Sequence, residues 1–218
     1  MLRKFKDIHE GLTCVIIGNG PSLADCPRSL LQEYDTFGAN RIFLFDDGFT
    51  PKYYTVIDQY MIHSCAPVLG DYYPDAMFIR RGFPIPRSHQ IRCVVENGFS
   101  MDINNKVVMG GTVTFANLQI AYYMGYIKAL LVGVDHEYKG MDNVQPGTVF
   151  QANQPDVDHF SKHYFAEGSL YAAPELKGTE LSYKLAREVY EADNRQIINI
   201  TPGSKLKVFE RGEYKDHL

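Results

Sequence analysis

The chain has 218 residues, of which 45% are hydrophobic and 22% are charged, and its formal net charge is −4. These values are ordinary for a soluble globular protein, and the length suits one domain over residues 1–218 that buries a core of its own. The slight negative charge argues against nucleic acid as a partner, so an anionic substrate would need a local basic pocket.

The four cysteines are isolated from one another in the sequence. Because none of them forms a C-x-x-C pair, the spacing argues against a zinc site. The N-terminus carries no apparent signal peptide, and no apolar run approaches the length of a membrane span. We therefore expect a reduced, cytoplasmic protein without a transmembrane segment. Association into a homo-oligomer is left open.

The first predicted element is an apolar run that stops at the sequence Gly-Asn-Gly-Pro-Ser of residues 18–22. This pattern predicts a buried strand with a glycine turn at its carboxyl end. Since ligands of open α/β sheets bind outside the carboxyl ends of strands, the turn is a candidate cradle for a nucleotide. Pro27 predicts the start of a short helix, whereas the dinucleotide-binding fingerprint needs a long helix directly after the glycines. We therefore place this turn outside that fingerprint.

Further strands of the first half are predicted at residues 35–40, 51–58 and 76–80. Residues 59–75 have a partly helical pattern that we expect Pro67 and Pro74 to break. Residues 81–105 are rich in Arg, Pro, Asn and Gly and predict a long irregular excursion. Loops of that length are often functional.

The second half begins with a short predicted strand at residues 106–109, followed by two glycines. A mostly apolar helix is predicted from Thr112 to Met124, with Gly125 ending it. Residues 128–135 are almost entirely apolar, which predicts a central strand covered on both faces.

Residues 136–178 are polar and contain many Gly, Pro, His and Tyr residues. This segment is too long for a plain connection and predicts an active-site lid. An amphipathic helix follows, from a Thr179 cap to Asn194, and then a last core strand at residues 196–200. The charged tail from Lys205 is expected to be peripheral. The alternation of strands and helices predicts an α/β fold with a doubly wound, mostly parallel sheet and a long irregular lid region.

Four stretches, in this order, resemble two related families. They are residues 18–23, residues 110–115, residues 131–135 and residues 156–165. The first family comprises bacterial sialyltransferases with a Rossmann-like fold. The second is the family named after archaeal 6-hydroxymethylpterin diphosphokinase, the MptE-like family, whose bacterial members include proteins thought to be glycosyltransferases.

The resemblance implies a transferase with a nucleotide-activated donor. The first function that the resemblance implies is that of a glycosyltransferase of cell-surface glycan synthesis. Such an enzyme would move a sugar from a CMP-sugar donor to a glycan acceptor and would require no cofactor. The alternative is a 6-hydroxymethylpterin diphosphokinase that uses ATP and Mg²⁺. A third, non-enzymatic interpretation is a nucleotide-binding module with a degenerate site.

We expect the nucleotide at the strand ends and at one helix N-terminus, on Gly18, Asn19, Gly20, Ser22, Asn40, Asp58, Gly110, Gly111, Thr112, Thr114 and Asp135. The glycines of the first turn allow either a tight turn or close approach of a phosphate to bare amides. Asn19 and Ser22 could instead satisfy the amides of the turn itself. By resemblance, Asn19 contacts the nucleotide phosphate or ribose, and Asn40 contacts the donor.

The other predicted nucleotide contacts have structural alternatives as well. Asp58 could hold a hydroxyl group or cap the following helix. The glycine–threonine segment at residues 110–114 precedes a helix, where free amides and the helix dipole attract anions, although it could simply be a capped helix packed closely against the sheet. Asp135 ends the central strand and could bind a base, a ribose or a metal.

His159 and His163 are the candidate catalytic residues. Their spacing would put both on one face of a helix, and histidine titrates near neutral pH, which suits general acid–base catalysis. By resemblance, His163 takes the proton of the acceptor hydroxyl, and His159 is a rival for that role.

The same segment contains a D-x-D sequence. Asp156 and Asp158 would hold Mg²⁺ if the protein were a diphosphokinase. Four arginines flank the irregular excursion and could form a site for an anionic acceptor or a solvated surface. They are Arg80, Arg81, Arg87 and Arg92.

Overall fold

The computed structural model of the protein describes residues 2–45, 48–139, 141 and 143–218. The strands of this part of the chain are β1 (Thr13–Ile17), β2 (Asp35–Ala39), β3 (Tyr53–Val56), β4 (Ala76–Arg80), β5 (Ser88–Ile91), β6 (Cys93–Val94), β7 (Val107–Val108), β8 (Lys128–Val132), β9 (Val149–Gln151), β10 (Leu170–Ala172), β11 (Gln196–Asn199) and β12 (Glu210–Arg211). Its α-helices are α1 (Arg28–Glu33), α2 (Gln59–Leu69), α3 (Val113–Tyr123) and α4 (Leu176–Ala192).

Within the described residues, eight parallel strands form one sheet in the spatial order β12-β11-β8-β1-β2-β3-β4-β5. The chain moves outward from β1 to β5, returns to place β8 on the other side of β1, and continues outward to β12. The strand order therefore reverses between β1 and β8, which creates a crevice at their carboxyl ends. The predicted fold class, a doubly wound α/β sheet, is confirmed.

Both faces of the sheet are covered. Along β1, Cys14 and Ile16 pack into the hydrophobic cluster that contains side chains of α3 and α4. Val15 and Ile17 pack into the opposite cluster, with side chains of α1 and α2. Such alternation across two buried faces explains why the strand has an unbroken apolar sequence. The central position predicted for β8 is confirmed, because it lies between β1 and β11.

Several predictions for the first half of the chain are wrong in detail. Pro67 lies inside α2, which continues to Leu69 instead of breaking. The excursion at residues 81–105 is not wholly irregular, because β5 in it extends the main sheet. The strand predicted at residues 106–109 is reduced to β7, which pairs with β6 outside the main sheet.

The α3 helix begins where the sequence predicts. Thr112 is its N-cap, and the Thr112 hydroxyl accepts the N–H of Thr114 at 3.3 Å. Gly125 follows the helix with a φ of 93°, a conformation that glycine adopts without strain. The predicted cap of α4 is wrong, since Glu175 accepts the N–H of Gly178 at 2.6 Å and Thr179 is buried inside the helix.

The C-terminal tail is not peripheral. Leu206, Val208 and Phe209 are buried in the core, and β12 adds a strand to the sheet. The buried Leu206 and Val208 alternate with the exposed Lys205 and Lys207, which is the period of a strand with one buried face. Among the described residues, no helix combines the length and the apolar character that crossing a bilayer requires.

A polar network surrounds Asp35 at the amino end of β2. Lys52 Nζ lies 2.6 Å from Asp35 Oδ1, and the Tyr126 hydroxyl donates to Oδ2 at 2.6 Å. His9 Nδ1 lies 3.5 Å from the same Oδ2. Burial lowers the pKa of His9 below its ordinary value of 6.5, and the Lys52 charge adds to this effect while the Asp35 charge opposes it.

We expect the free energy of unfolding to fall between about pH 7.5 and about pH 5.5, and part of this fall to disappear in His9→Gln. The pKa of His9 is lower in the folded protein, so the unfolded chain binds more protons in this range and acidification favours unfolding. Burial alone would raise the pKa of Asp35, but Lys52 and Tyr126 lower it, so this carboxylate stays ionised throughout the range. Urea unfolding at both pH values measures the slope, and an identical slope in the variant would contradict the prediction.

Candidate active site at the strand switch point

The loops that follow β1 and β8 lie directly against each other. The N–H of Gly18 donates to the carbonyl of Val132 at 2.8 Å, and the N–H of Gly20 donates to the carbonyl of Gly133 at 2.9 Å. A Cβ atom at position 18 would lie 2.4 Å from the Gly133 oxygen. Glycine is therefore needed for close approach of the two backbones. These two N–H groups, which we expected to face a phosphate, are engaged within the protein.

Ser22 and Asp135 connect the same two loops through their side chains. The Ser22 hydroxyl donates to Asp135 Oδ2 at 2.8 Å, and the Ser22 N–H donates to Oδ1 at 3.2 Å. Burial raises the pKa of Asp135, partly offset by the two hydrogen bonds from Ser22. Gly20 faces this carboxylate, because a Cβ atom there would lie 1.9 Å from Oδ2. Asp135 thus stabilises the first loop.

Asn19 and Asn40 follow the neighbouring strands β1 and β2 and line a pocket of about 120 Å³, hereafter the smaller pocket. Asn19 Nδ2 donates to the carbonyl of Ala39 at 3.2 Å. The Oδ1 atoms of both asparagines are buried and have no hydrogen-bond partner among the described residues. A buried acceptor without a donor costs about 1–3 kcal/mol. The two residues therefore bring two unpaired, buried acceptors to the wall of the smaller pocket.

The N-terminus of α3 faces the smaller pocket, which Gly111, Thr112 and Thr114 help to line. Gly110 and Gly111 have φ angles of 56° and 78°, which explains the glycine pair. A Cβ atom at Gly111 would also lie 2.6 Å from the hydroxyl of Thr179. Because the N-terminus of a helix carries partial positive charge, this wall of the pocket favours an anion.

A cleft of about 750 Å³, hereafter the larger cleft, adjoins the smaller pocket and shares walls with it, including Asn40, Thr112 and His159. Asp58 lines the larger cleft and is the N-cap of α2, where its Oδ1 accepts the N–H of Met61 at 3.0 Å. The structure thus gives Asp58 the capping role, with its carboxylate at the cleft wall.

His159 forms a dyad with Asp156. His159 Nδ1 lies 2.9 Å from Asp156 Oδ2, and the other Asp156 oxygen accepts the N–H groups of Asp158 and His159 at 2.8 and 3.0 Å. Burial alone would raise the pKa of Asp156, but His159 and these N–H groups lower it. The imidazole stacks on the buried Tyr164 ring, with centroids 3.8 Å apart and planes inclined by 2°. Two contacts thus fix the orientation of the His159 ring.

The dyad lies beside the first loop, because the N–H of Phe160 donates to the carbonyl of Asn19 at 3.0 Å. Within the described residues, no hydrogen-bond partner is found for His159 Nε2. Since His159 lines both cavities, this arrangement has the features of a general base: a carboxylate at one ring nitrogen and a free second nitrogen.

His163 is placed differently. It is exposed, and the described residues that line the two cavities do not include it. The segment from 156 to 168 is not helical, so a spacing of four does not bring His163 to the face occupied by His159.

The D-x-D residues stabilise their own segment. Asp156 is bound by His159, and Asp158 Oδ1 accepts the N–H of Lys139 at 2.8 Å. In the part of the chain that the structure describes, no group of three or more His, Cys, Asp or Glu side chains could hold a metal ion.

The four arginines that flank the predicted excursion do not line the larger cleft. Arg87 donates to the carbonyl of Gly70 at 2.6 Å. Of the described residues that line the larger cleft, none is Arg80, Arg81, Arg87 or Arg92.

Residues 136–178, predicted to form a lid, contain the β9–β10 hairpin, and Gly140 and Asp142 lie outside the described residues. Tyr171 of this hairpin stacks on Phe165, with ring centroids 4.5 Å apart. Both rings line the larger cleft. The hairpin therefore forms one wall of the cleft.

Sequence reasoning missed two tyrosines of the site. Tyr164 supports the imidazole, and Tyr138 lines both cavities. Burial and the charges of nearby carboxylates, Asp158 first, raise the pKa of Tyr138 to about 12. Neither tyrosine belongs to a periodic pattern, so no signal in the sequence distinguishes them from the other tyrosines of the chain.

No protein-family model matches the chain, and no curated protein matches it. Solved structures with a similar fold include two sialyltransferases in complex with CMP. The first is the sialyltransferase Cst-II in complex with CMP, with a TM-score of 0.52 and 18% identity over 91% of this chain and 85% of that chain. The second is the sialyltransferase CstII from Campylobacter jejuni in complex with a substrate analogue, cytidine-5'-monophosphate, with a TM-score of 0.50 and 16% identity over 93% of this chain and 85% of that chain. At such identities the likeness concerns the fold.

Proposed function

We propose that this protein is a transferase that uses a nucleotide-activated donor, and that it moves a sugar from a CMP-sugar to a glycan acceptor. The observation that carries the proposal is the pair of buried Oδ1 atoms of Asn19 and Asn40 at the strand switch point, without donors among the described residues. The cytosine amine and the ribose hydroxyls are donors of the kind that would satisfy them. The similarity of the fold to CMP-bound sialyltransferases supports this choice of nucleotide.

The donor phosphate would lie at the N-terminus of α3, beside Thr112 and Thr114. Among the described residues that line the smaller pocket there is no Lys or Arg. A single phosphate therefore suits this pocket better than a triphosphate, whose charges would lack partners.

His159 would act as the general base. The acceptor hydroxyl gives its proton to Nε2 as its oxygen bonds to the anomeric carbon of the donor sugar. The bond between that carbon and the phosphate oxygen breaks, and CMP leaves with the electron pair. Asp156 accepts a hydrogen bond from the Nδ1–H of the ring, holds the tautomer that leaves Nε2 free, and stabilises the imidazolium that forms. Because the transition state is oxocarbenium-like, positioning and stabilisation of the departing charge supply most of the catalysis.

The diphosphokinase alternative needs Mg²⁺ held by carboxylates such as Asp135, Asp156 and Asp158. Asp135 accepts two hydrogen bonds from Ser22, and Asp156 is bound by His159 and two backbone N–H groups. Asp158 accepts the N–H of Lys139, so each of the three carboxylates is held by a separate contact within the protein. We therefore propose sugar transfer that requires no metal cofactor.

We expect CMP to raise the Tm of the protein in the presence of EDTA, and Asn40→Gly to weaken CMP binding about tenfold, or about 1.4 kcal/mol. Glycine keeps the φ of 53° at this position and removes the buried acceptor. Thermal shift and calorimetry measure both effects.

The matched control for this variant is Asn194→Gly, the same substitution at an asparagine with a φ of 57° that lines neither cavity of the site. It should leave CMP binding unchanged. Stabilisation by ATP with Mg²⁺ and not by CMP would contradict the proposed function.

A further inference from the structure

His136 is a buried histidine of the site to which the steps described so far give no role. It follows Asp135 in the loop after β8, its side chain is 7% exposed, and it lines the smaller pocket. Its Nε2 lies 3.3 Å from Glu180 Oε1 on α4. Within the described residues, no hydrogen-bond partner is found for its Nδ1. The ring therefore has a carboxylate at one nitrogen and an unoccupied second nitrogen.

The backbone of His136 has a left-handed conformation, with a φ of 58°. Residues other than glycine adopt this conformation at a cost, although histidine and asparagine tolerate it better than most. Backbone conformations of this kind cluster at ligand sites, where the surrounding structure holds them in place. The conformation therefore agrees with a functional role for His136, and it makes asparagine the suitable replacement in a test.

Tyr183 connects His136 to the N-terminus of α3. The two rings meet edge to face, with centroids 6.2 Å apart and planes inclined by 61°. Burial raises the pKa of the Tyr183 hydroxyl, and hydrogen bonds with the Thr114 and Thr112 side chains partly offset this effect. All four residues line the smaller pocket. His136 therefore lies on the side of the pocket proposed for the donor phosphate.

The side chains of the smaller pocket offer little positive charge to an anion. Among the described residues that line it, three are carboxylates and none is Lys or Arg, the carboxylates being Asp135, Glu137 and Asp158. The N-terminus of α3 supplies only about half an elementary charge. Two histidines of this lining, His136 and His159, can become cationic. Since His159 must be neutral to act as the base, His136 is the one that can supply a positive charge to a phosphate.

We propose that protonated His136, held by Glu180, donates a hydrogen bond from Nδ1 to the donor phosphate. The proposal rests on the proposed sugar transfer and deepens it by assigning a residue to the leaving group. When the bond to the anomeric carbon breaks, its electron pair goes to the phosphate oxygen, and the phosphate gains one negative charge. The His136 proton stays on the ring and stabilises this added charge, while the proton of the acceptor hydroxyl goes to His159. A charge-assisted hydrogen bond that strengthens as charge develops stabilises the transition state more than the ground state.

The test compares CMP with cytidine, which lacks the phosphate, in calorimetric titrations at about pH 7.5. We expect the parent protein to bind CMP at least about tenfold more tightly than cytidine. His136→Asn should lose most of this difference and keep its affinity for cytidine, because asparagine tolerates the φ of 58° but carries no charge. The advantage of CMP over cytidine should also fall between about pH 7.5 and about pH 9.5 in the parent, where the ring loses its proton, and stay constant in the variant.

Glu180→Gln keeps the histidine and tests its partner. If Glu180 holds the ring in its protonated form, this variant should bind CMP a few-fold more weakly at about pH 7.5 and bind cytidine as the parent does. If Glu180 only repelled the phosphate, its removal would strengthen CMP binding, which would overturn the proposed pair. The matched control, Glu188→Gln, removes an equal charge from an exposed position on α4 outside both cavities and should change neither affinity.

The outcomes separate the two proposals. Equal loss of CMP and cytidine affinity in His136→Asn, or no loss of either, would overturn the His136 contact and leave the proposed function standing. Failure of the parent to bind CMP would contradict the proposed function and the contact with it. The Tm of each variant without ligand checks folding, and if His136→Asn is unfolded, the direction of the Glu180→Gln effect decides.

Discussion

The variant His159→Ala is expected to lose about 10²–10⁴-fold in sugar transfer while keeping its affinity for CMP. The imidazole supplies the base but does not provide the asparagine oxygens or the α3 N-terminus proposed to hold the nucleotide. Single-turnover transfer measures the chemical step, and calorimetry measures CMP binding. The matched control is His163→Ala, an exposed histidine outside both cavities, which should stay within a few-fold of the parent.

Asp156→Asn tests the positioning role of the second member of the dyad. Without the carboxylate, the Nδ1 proton is no longer held by a charged acceptor, so kcat should fall while the KM for the acceptor changes little. Asp156→Glu should recover part of the activity. If His163→Ala were the more damaging histidine variant, the base would be His163 and the dyad would have only a structural role.

The second large effect concerns stability. Gly18→Ala is expected to lower the free energy of unfolding by about 3 kcal/mol and the Tm by roughly 6–12 °C. The added Cβ atom would lie 2.4 Å from the Gly133 oxygen and 2.8 Å from its carbonyl carbon. Both are backbone atoms, so relief requires the ends of β1 and β8 to move apart. Urea and thermal unfolding measure the loss.

Gly70→Ala is the control for that substitution. Gly70 has helical angles, a φ of −60° and a ψ of −36°, and a Cβ atom there meets no atom within 4 Å. This variant should be as stable as the parent or slightly more stable, by about 0.4–1 kcal/mol. Equal effects of the two substitutions would show that close packing of the loops is not what requires glycine at position 18.

Strands and helices with strong local patterns were predictable. Unbroken apolar runs indicated β1 and β8 as strands buried on both faces, and both lie at the centre of the sheet. The Thr112 cap and the Gly125 end of α3 depend on the residues themselves, so they could be placed from the sequence. These signals act over a few residues and do not need the rest of the fold.

Elements that depend on competition between neighbours were predicted less well. Thr179 is a good N-cap residue, but Glu175 caps the helix earlier in the chain. Thr179 therefore lies inside the helix, where it is buried against Gly111. The tail has a charged composition, yet Leu206, Val208 and Phe209 are buried in the core and β12 pairs with β11. Composition alone does not reveal that the edge of the sheet at β11 can pair with one more strand.

Local sequence patterns were sufficient to predict the α/β class, the glycine-containing strand ends and the segment that contains the candidate histidines. Which groups meet depends on how the folded chain packs. Ser22 and Asp135 are 113 positions apart and bond only because β8 inserts beside β1. The choice of His159 over His163 depends on an irregular segment whose conformation is fixed by Asp156, Tyr164 and the Asn19 carbonyl. Such contacts join distant or aperiodic residues, so no local pattern specifies them, and they form only when the packed sheet brings its strand ends to one edge.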